Sequence, residues 1–223
     1  MKKVLFISVH PDDETLGCGG TILKHKQLGD EIYWLILTKA NQKITSIPNI
    51  VKIQKNFIKK VNLQYNFNGC VQLDFLTTEL DRYPLGEIIN SISKHINEIK
   101  PEYVYLNHFA DIHSDHRYAF EAIYSCTKNF RYPFINKVLM YETLSETEFS
   151  PALRENAFIP NVFVDITNYI DKKLDIFSLY STEVMPNNLP RSSSAIRSLA
   201  GYRGSRIGVE YAEAFSLLLE KTL

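Results

Sequence analysis

The run Lys3-Val-Leu-Phe-Ile-Ser-Val9, then His10-Pro11-Asp12-Asp13-Glu14, then Thr15-Leu16-Gly17-Cys18-Gly19-Gly20 reads as a buried strand, a polar corner and a glycine-rich helix start. The apolar part has strand length and β-branched content. Pro11 lacks an N–H and fixes φ, so the strand pattern ends there. A histidine and three carboxylates arrive within five residues. In an open α/β sheet, ligands bind beyond the carboxyl ends of the strands. The corner therefore sets acid–base and metal-ligand groups at the edge where such a fold has its crevice.

Outward from this corner, strand-like and helix-like stretches alternate. Strands are expected at Glu31–Leu37, Val71–Leu76, Glu102–Leu106, Lys137–Tyr141 and Val162–Asp165. Helical spacing is expected in the rest of the first helix to Leu28, then over Ile47–Asn62, Leu85–Ile99, Arg117–Phe130, Thr167–Tyr180, Ala195–Tyr202 and Val209–Leu219. The alternation argues for an α/β fold with a mostly parallel, doubly wound sheet and helices on both faces. Residues 1–223 read as a single domain, with a core over about 1–145 and a less regular C-terminal cap over about 146–223.

A second polar cluster, Asn107-His108-Phe109-Ala110-Asp111-Ile112-His113-Ser114-Asp115-His116, also follows a strand. In a parallel sheet both clusters lie on one edge. His10 and Asp13, three apart on a tight turn, can face one point, and imidazole and carboxylate are both good Zn²⁺ ligands. A catalytic zinc needs a third protein ligand and an open position. His113 or His116 can supply the third ligand, and the residues alone do not decide between them. Asp12 is then a free carboxylate beside the metal and a candidate general base. The histidine left over can stabilise negative charge, with Asp115 orienting it and favouring its protonated form. His25 and His95, on helical faces among lysines, are read as structural, and so is His108.

Composition bounds the partners. The 25 basic and 25 acidic residues cancel, which gives no electrostatic footprint for nucleic acid. No apolar run reaches the ~18 residues of a membrane span. Three widely spaced cysteines, Cys18, Cys70 and Cys126, suggest reduced thiols and a cytoplasmic protein. Homo-oligomerisation is left open.

The eleven residues His10 to Gly20, with His113-Ser114-Asp115-His116 downstream, resemble the PIG-L/LmbE-like zinc-dependent N-acetylglucosaminyl deacetylases. The Tyr141-Glu142-Thr143 and Tyr211-Ala212-Glu213-Ala214-Phe215 stretches are similar to a bacterial branch of that family. The resemblance implies a Rossmann-like fold and hydrolysis of the acetyl group from an N-acetylated amino sugar. The sugar would be nucleotide-linked or carried on another small glycoside. It implies His10, Asp13 and His116 as ligands of Zn²⁺, with Fe²⁺ or another divalent metal as the alternative. It also implies Asp12 as base, and His113 as acid or oxyanion stabiliser with Asp115 as its partner. Many family members carry an arginine early in the helix after the second strand. Here that helix reads Asn49-Ile-Val-Lys-Ile-Gln-Lys-Asn56, so Lys52 or Lys55 is the candidate substitute, without the two-pronged guanidinium. Arg191 and Arg203, with Arg197 and Arg206, are further candidates for substrate binding and would suit an anionic substrate. Two other classes fit parts of the pattern. A non-catalytic sugar- or nucleotide-binding protein is argued against by the complete residue set. A non-haem Fe(II) oxygenase shares the His₂-carboxylate triad, but such enzymes usually have β-barrel cores.

Overall fold

The first strand alternates between two cores. Val4 and Phe6 join one cluster of buried side chains, whereas Leu5 and Ile7 join another. This is the period-2 geometry of a strand covered on both faces. The computed structural model describes residues 1–222. Among them, strands β1 (Lys3–Ser8), β2 (Glu31–Lys39), β3 (Gly69–Leu76), β4 (Tyr103–Asn107), β5 (Lys137–Tyr141), β6 (Val162–Asp165) and β7 (Ala212–Glu220) form one sheet. Its order is β3-β2-β1-β4-β5-β7-β6. The first five strands are parallel; β7 runs antiparallel to both β5 and β6.

Helices α1 (Asp13–Gln27), α2 (Ile50–Tyr65), α5 (Ile170–Phe177) and α6 (Ser193–Ser205) bury side chains in the first cluster, for example Ile22, Val61, Phe177 and Ile196. Helices α3 (Leu85–Ile99) and α4 (Ser114–Ser125) bury Ile88, Ile92, Ile96 and Ile123 in the second. The strand order turns at β1, with β2 on one side and β4 on the other. Their parallel pairing, Val4 opposite Tyr103 and Phe6 opposite Tyr105, puts the two strand ends side by side. The α/β expectation is met.

Three expectations are corrected. Val209–Leu219 does not form a helix: Ala212–Glu220 is strand β7, inside the sheet between β5 and β6. A short apolar run buried on both faces has no periodicity that separates strand from helix. The segment expected as a cap thus contributes two strands to the sheet. Helix α4 begins at Ser114 and not Arg117, which draws Asp115 and His116 into its first turn. Helix α1 begins at Asp13, so the glycines lie within it. They allow close contact: a Cβ at Gly20 would stand 2.6 Å from Ile166 Cβ.

The C-terminal elements are fastened to α1 by a buried ion pair. Lys173 Nζ donates to Glu213 Oε1 at 2.7 Å and to the Leu16 carbonyl at 2.8 Å. Glu213 in turn accepts from the Gly20 and Thr21 N–H groups. Removing one partner strands the other charge in the interior. Lys173→Met should cost about 3–5 kcal/mol of stability, read as a lowered urea midpoint.

Candidate metal centre

Asp13 ends the corner after β1 by turning its carboxylate back on the chain. Its Oδ2 accepts from the Val9 and His10 N–H groups, at 3.0 and 2.8 Å. His10 leaves the same corner, and His116 rises from the first turn of α4 at the end of β4. One atom from each of the three residues lies within 4.8 Å of the others. His10 Nδ1 is 3.3 Å from His116 Nε2, which is 3.5 Å from Asp13 Oδ2. Ligands at about 2.0–2.1 Å from a tetrahedral ion stand about 3.3–3.4 Å apart. The spacing suits a divalent cation.

The far side of each ring is held. His116 Nδ1 is 2.8 Å from Asp111 Oδ2, and His10 Nε2 is 3.1 Å from Asp115 Oδ2. A carboxylate there takes the ring proton and leaves the nitrogen facing the site free for a metal. Burial alone would lower the His116 pKa, but Asp13 and Asp111 outweigh it and lift it to about 10. The same negative field that holds a proton at this point attracts a cation. A second grouping, His10, His113 and Asp115, is also close enough to hold a metal. There, however, Asp115 is already occupied by the N–H groups of Thr78 and Leu80 as well as by His10.

Asp12 sits between the two clusters with φ 138°, in the region that L residues avoid. Its carbonyl accepts from Thr15 and Leu16, and its N–H donates to Glu14 Oε2. Glu14 is fully buried and also accepts from Thr15 and Tyr180, as local support. This twist separates Asp12 from Asp13 and leaves the Asp12 side chain lining the cleft. Burial, then the charges of Asp13 and Glu183, raise its pKa well above the carboxylate range. That is the direction a general base requires.

His113 is the N-cap of α4, and its Nδ1 accepts the Asp115 N–H at 3.1 Å. The proton therefore belongs on Nε2. Burial and the neighbouring His10 lower its pKa to about 4, so it is neutral and can donate one hydrogen bond. The Asp115 carboxylate lies 3.1 Å from His10 Nε2 and 3.9 Å from His113 Nδ1, so its hydrogen bond goes to His10 at the other strand end and its charge is felt by both rings.

With His116 and Asp115 buried behind them, His10, Asp12, Asp13 and His113 line a cleft of about 350 Å³. Arg191 lines it, with Nη1 2.9 Å from Glu183 and 3.5 Å from Asp12. The other candidates for substrate binding, Lys52, Lys55, Arg197, Arg203 and Arg206, do not line it. Lys52 is exposed on α2, and Gln54 lines the cleft from that helix. Arg203 is held in a two-point ion pair with Glu142, at 2.8 and 2.6 Å. Arg197 is paired with Asp171 at the surface. His25 is satisfied by Asp30 and Tyr105, and His108 bonds the Asn156 carbonyl. Sequence reasoning gave no role to Asp111, Glu146 or Glu183. Glu146 was within reach of the strand-end rule, because it follows β5 as the two clusters follow β1 and β4.

A family model described as GlcNAc-PI de-N-acetylase, PIG-L, matches residues 5–127. The chain belongs to this family. A diacetylchitobiose deacetylase from Thermococcus kodakarensis is 26% identical over 232 residues, covering 96% of this chain and 82% of that protein. An Escherichia coli K12 protein described as the uncharacterized deacetylase YaiS is 28% identical over 173 residues, covering 74% of this chain and 82% of its own length. The solved N,N'-diacetylchitobiose deacetylase of Pyrococcus horikoshii superposes with a TM-score of 0.77 at 22% identity, covering 98% of this chain and 84% of that one. That likeness bears on the fold.

The ring-supporting carboxylates can be tested apart from any reaction. Asp111→Ala should weaken Zn²⁺ binding about 10- to 100-fold, measured by competition with a chromogenic chelator. Because His116 holds a proton at pH 7, Zn²⁺ binding should release about one proton and weaken as pH falls. Calorimetry in buffers of different ionisation enthalpy measures that number.

Proposed function

We propose that this protein is a zinc-dependent deacetylase that removes the acetyl group from an N-acetylated amino sugar on a small glycoside. One observation carries the reading. His10 and Asp13 line one cleft with the carboxylate of Asp12 and the neutral imidazole donor His113, and the buried His116 stands behind them within ligand spacing of both. Membership of a de-N-acetylase family supports it.

His10, Asp13 and His116 would hold the ion. When bound, Zn²⁺ supplies Lewis acidity and lowers the pKa of water towards about 7. Asp12 takes the proton of the attacking water. The amide carbonyl turns tetrahedral, and the His113 Nε2–H donates to the oxygen on which charge develops. The amine departs with a proton. Asp12 is the better source of it, because its raised pKa lets the carboxyl keep the proton and return it. His113, with a pKa of about 4, carries too little imidazolium at neutral pH to be the main acid. Ile44, Ile47, Ile50 and Phe57 form an apolar wall of the cleft against which a sugar ring can lie.

Asp12→Ala should keep its zinc and lose acetate release by about 10²–10⁴-fold, the usual worth of a positioned base. Metal analysis and an acetate assay on the same preparation check both halves. Near-normal turnover would remove Asp12 from the mechanism. His113→Ala should lose about 10²–10³-fold in kcat, as for a deleted oxyanion donor.

A further inference from the structure

The side chains at the centre are not all held alike. His10 is held by Asp115, His116 by Asp111, and Asp13 by the Val9 and His10 N–H groups. His113 is fixed by the Asp115 N–H. Among the described residues, the Asp12 carboxylate accepts one hydrogen bond. It is a long one, 3.5 Å from Arg191 Nη1 to Oδ2, and it arrives from 179 residues away in the chain.

The placement of Arg191 is informative. Nη1 carries two hydrogens and meets two carboxylates, Glu183 at 2.9 Å and Asp12 at 3.5 Å. Nε is buried and has no partner. Arg203 shows the alternative, since it grips Glu142 with Nε and Nη2 together, the fork that matches a carboxylate. Arg191 forgoes that fork and leaves a buried donor unpaired, which is costly. Its pose is accounted for by where Nη1 points and not by what the side chain adds to stability. The segment that carries it, between α5 and α6, also contains Tyr180. That hydroxyl donates to Glu14, which accepts the Asp12 N–H. One segment thus reaches both the backbone and the carboxylate of Asp12.

We propose that Glu183 and Arg191 are a positioning pair for Asp12. Glu183 sets the guanidinium, and Nη1–H sets the rotamer of the Asp12 carboxylate in the cleft. The use of that carboxylate as a base rests on the deacetylase reading above, whereas its orientation does not.

A crystal structure of zinc-loaded Arg191→Met tests the orientation by itself. It should show the Asp12 carboxylate in more than one rotamer, with His10, Asp13 and His116 in place. The wild-type rotamer kept in that variant overturns the proposal, whatever the activity. Acetate release from N-acetylglucosamine, its β-1,4-linked dimer and its 1-phosphate tests the consequence. Arg191→Met should lower kcat about 10²-fold, the scale of a misplaced reacting group, with KM and zinc affinity close to wild type. Glu183→Gln should cost less and add nothing to Arg191→Met, because it acts through the arginine. Added guanidinium should restore part of the kcat of Arg191→Ala, a recovery that general damage to the fold would not permit. In an Asp12→Ala background, Arg191→Met should cost nothing more. A further loss there, or a raised KM with kcat unchanged, would make Arg191 a substrate contact and overturn the proposal. No acetate from the wild type with any probe sinks deacetylation, and the rotamer result then decides the positioning pair alone.

Discussion

The parallel pairing of β1 with β4 is the constraint on which the rest depends. Three residue pairs, Val4 with Tyr103 through Phe6 with Tyr105, set the register. His10 and Asp13 leave one strand end, and His113, Asp115 and His116 lie just beyond the other. About 100 residues of chain are thereby reduced to contacts of 3.1–3.5 Å. The handedness of parallel crossovers makes this economical. Helices α1 and α3 pack on opposite faces of the sheet and leave the edge between β1 and β4 free of either.

At that edge, buried carboxylates brace His10, His116 and the Asp12 backbone. Asp111 and Asp115 hold the two rings, and Glu14 holds the Asp12 backbone. The braces are braced in turn, Asp111 by Thr147 and Asp115 by Thr78 and Leu80. Loops after β3 and β5 are therefore tied to the centre as firmly as the strand ends are. So many carboxylates in a low-dielectric region repel one another unless cations join them. Burial first, with repulsion adding to it, raises the pKa values of Asp12, Glu14 and Glu146, while Asp13 and Asp111 raise that of His116 against its burial.

How much was legible in the sequence followed from how local each interaction is. His10, Asp12 and Asp13 occupy one turn, so residue type and spacing were enough to nominate them. The second cluster was legible because it too follows a strand. The difference between His113 and His116 was not, because it lies in which nitrogen is taken up: a backbone N–H claims His113 Nδ1, while Asp111 leaves His116 Nε2 facing His10 and Asp13. Partners distant in the chain were opaque. Nothing near Arg203 announces Glu142, and nothing near Lys173 announces Glu213. Strand β7 was hidden for another reason: Glu213 reads as a helix-surface residue until its buried lysine is known.

The backbone at Asp12 carries a cost. A φ of 138° is comfortable for glycine and strained, by about 1–3 kcal/mol, for aspartate. Under the proposed role of Asp12 as base, the position sets stability against turnover: glycine there would relax the backbone and leave the cleft without that carboxylate.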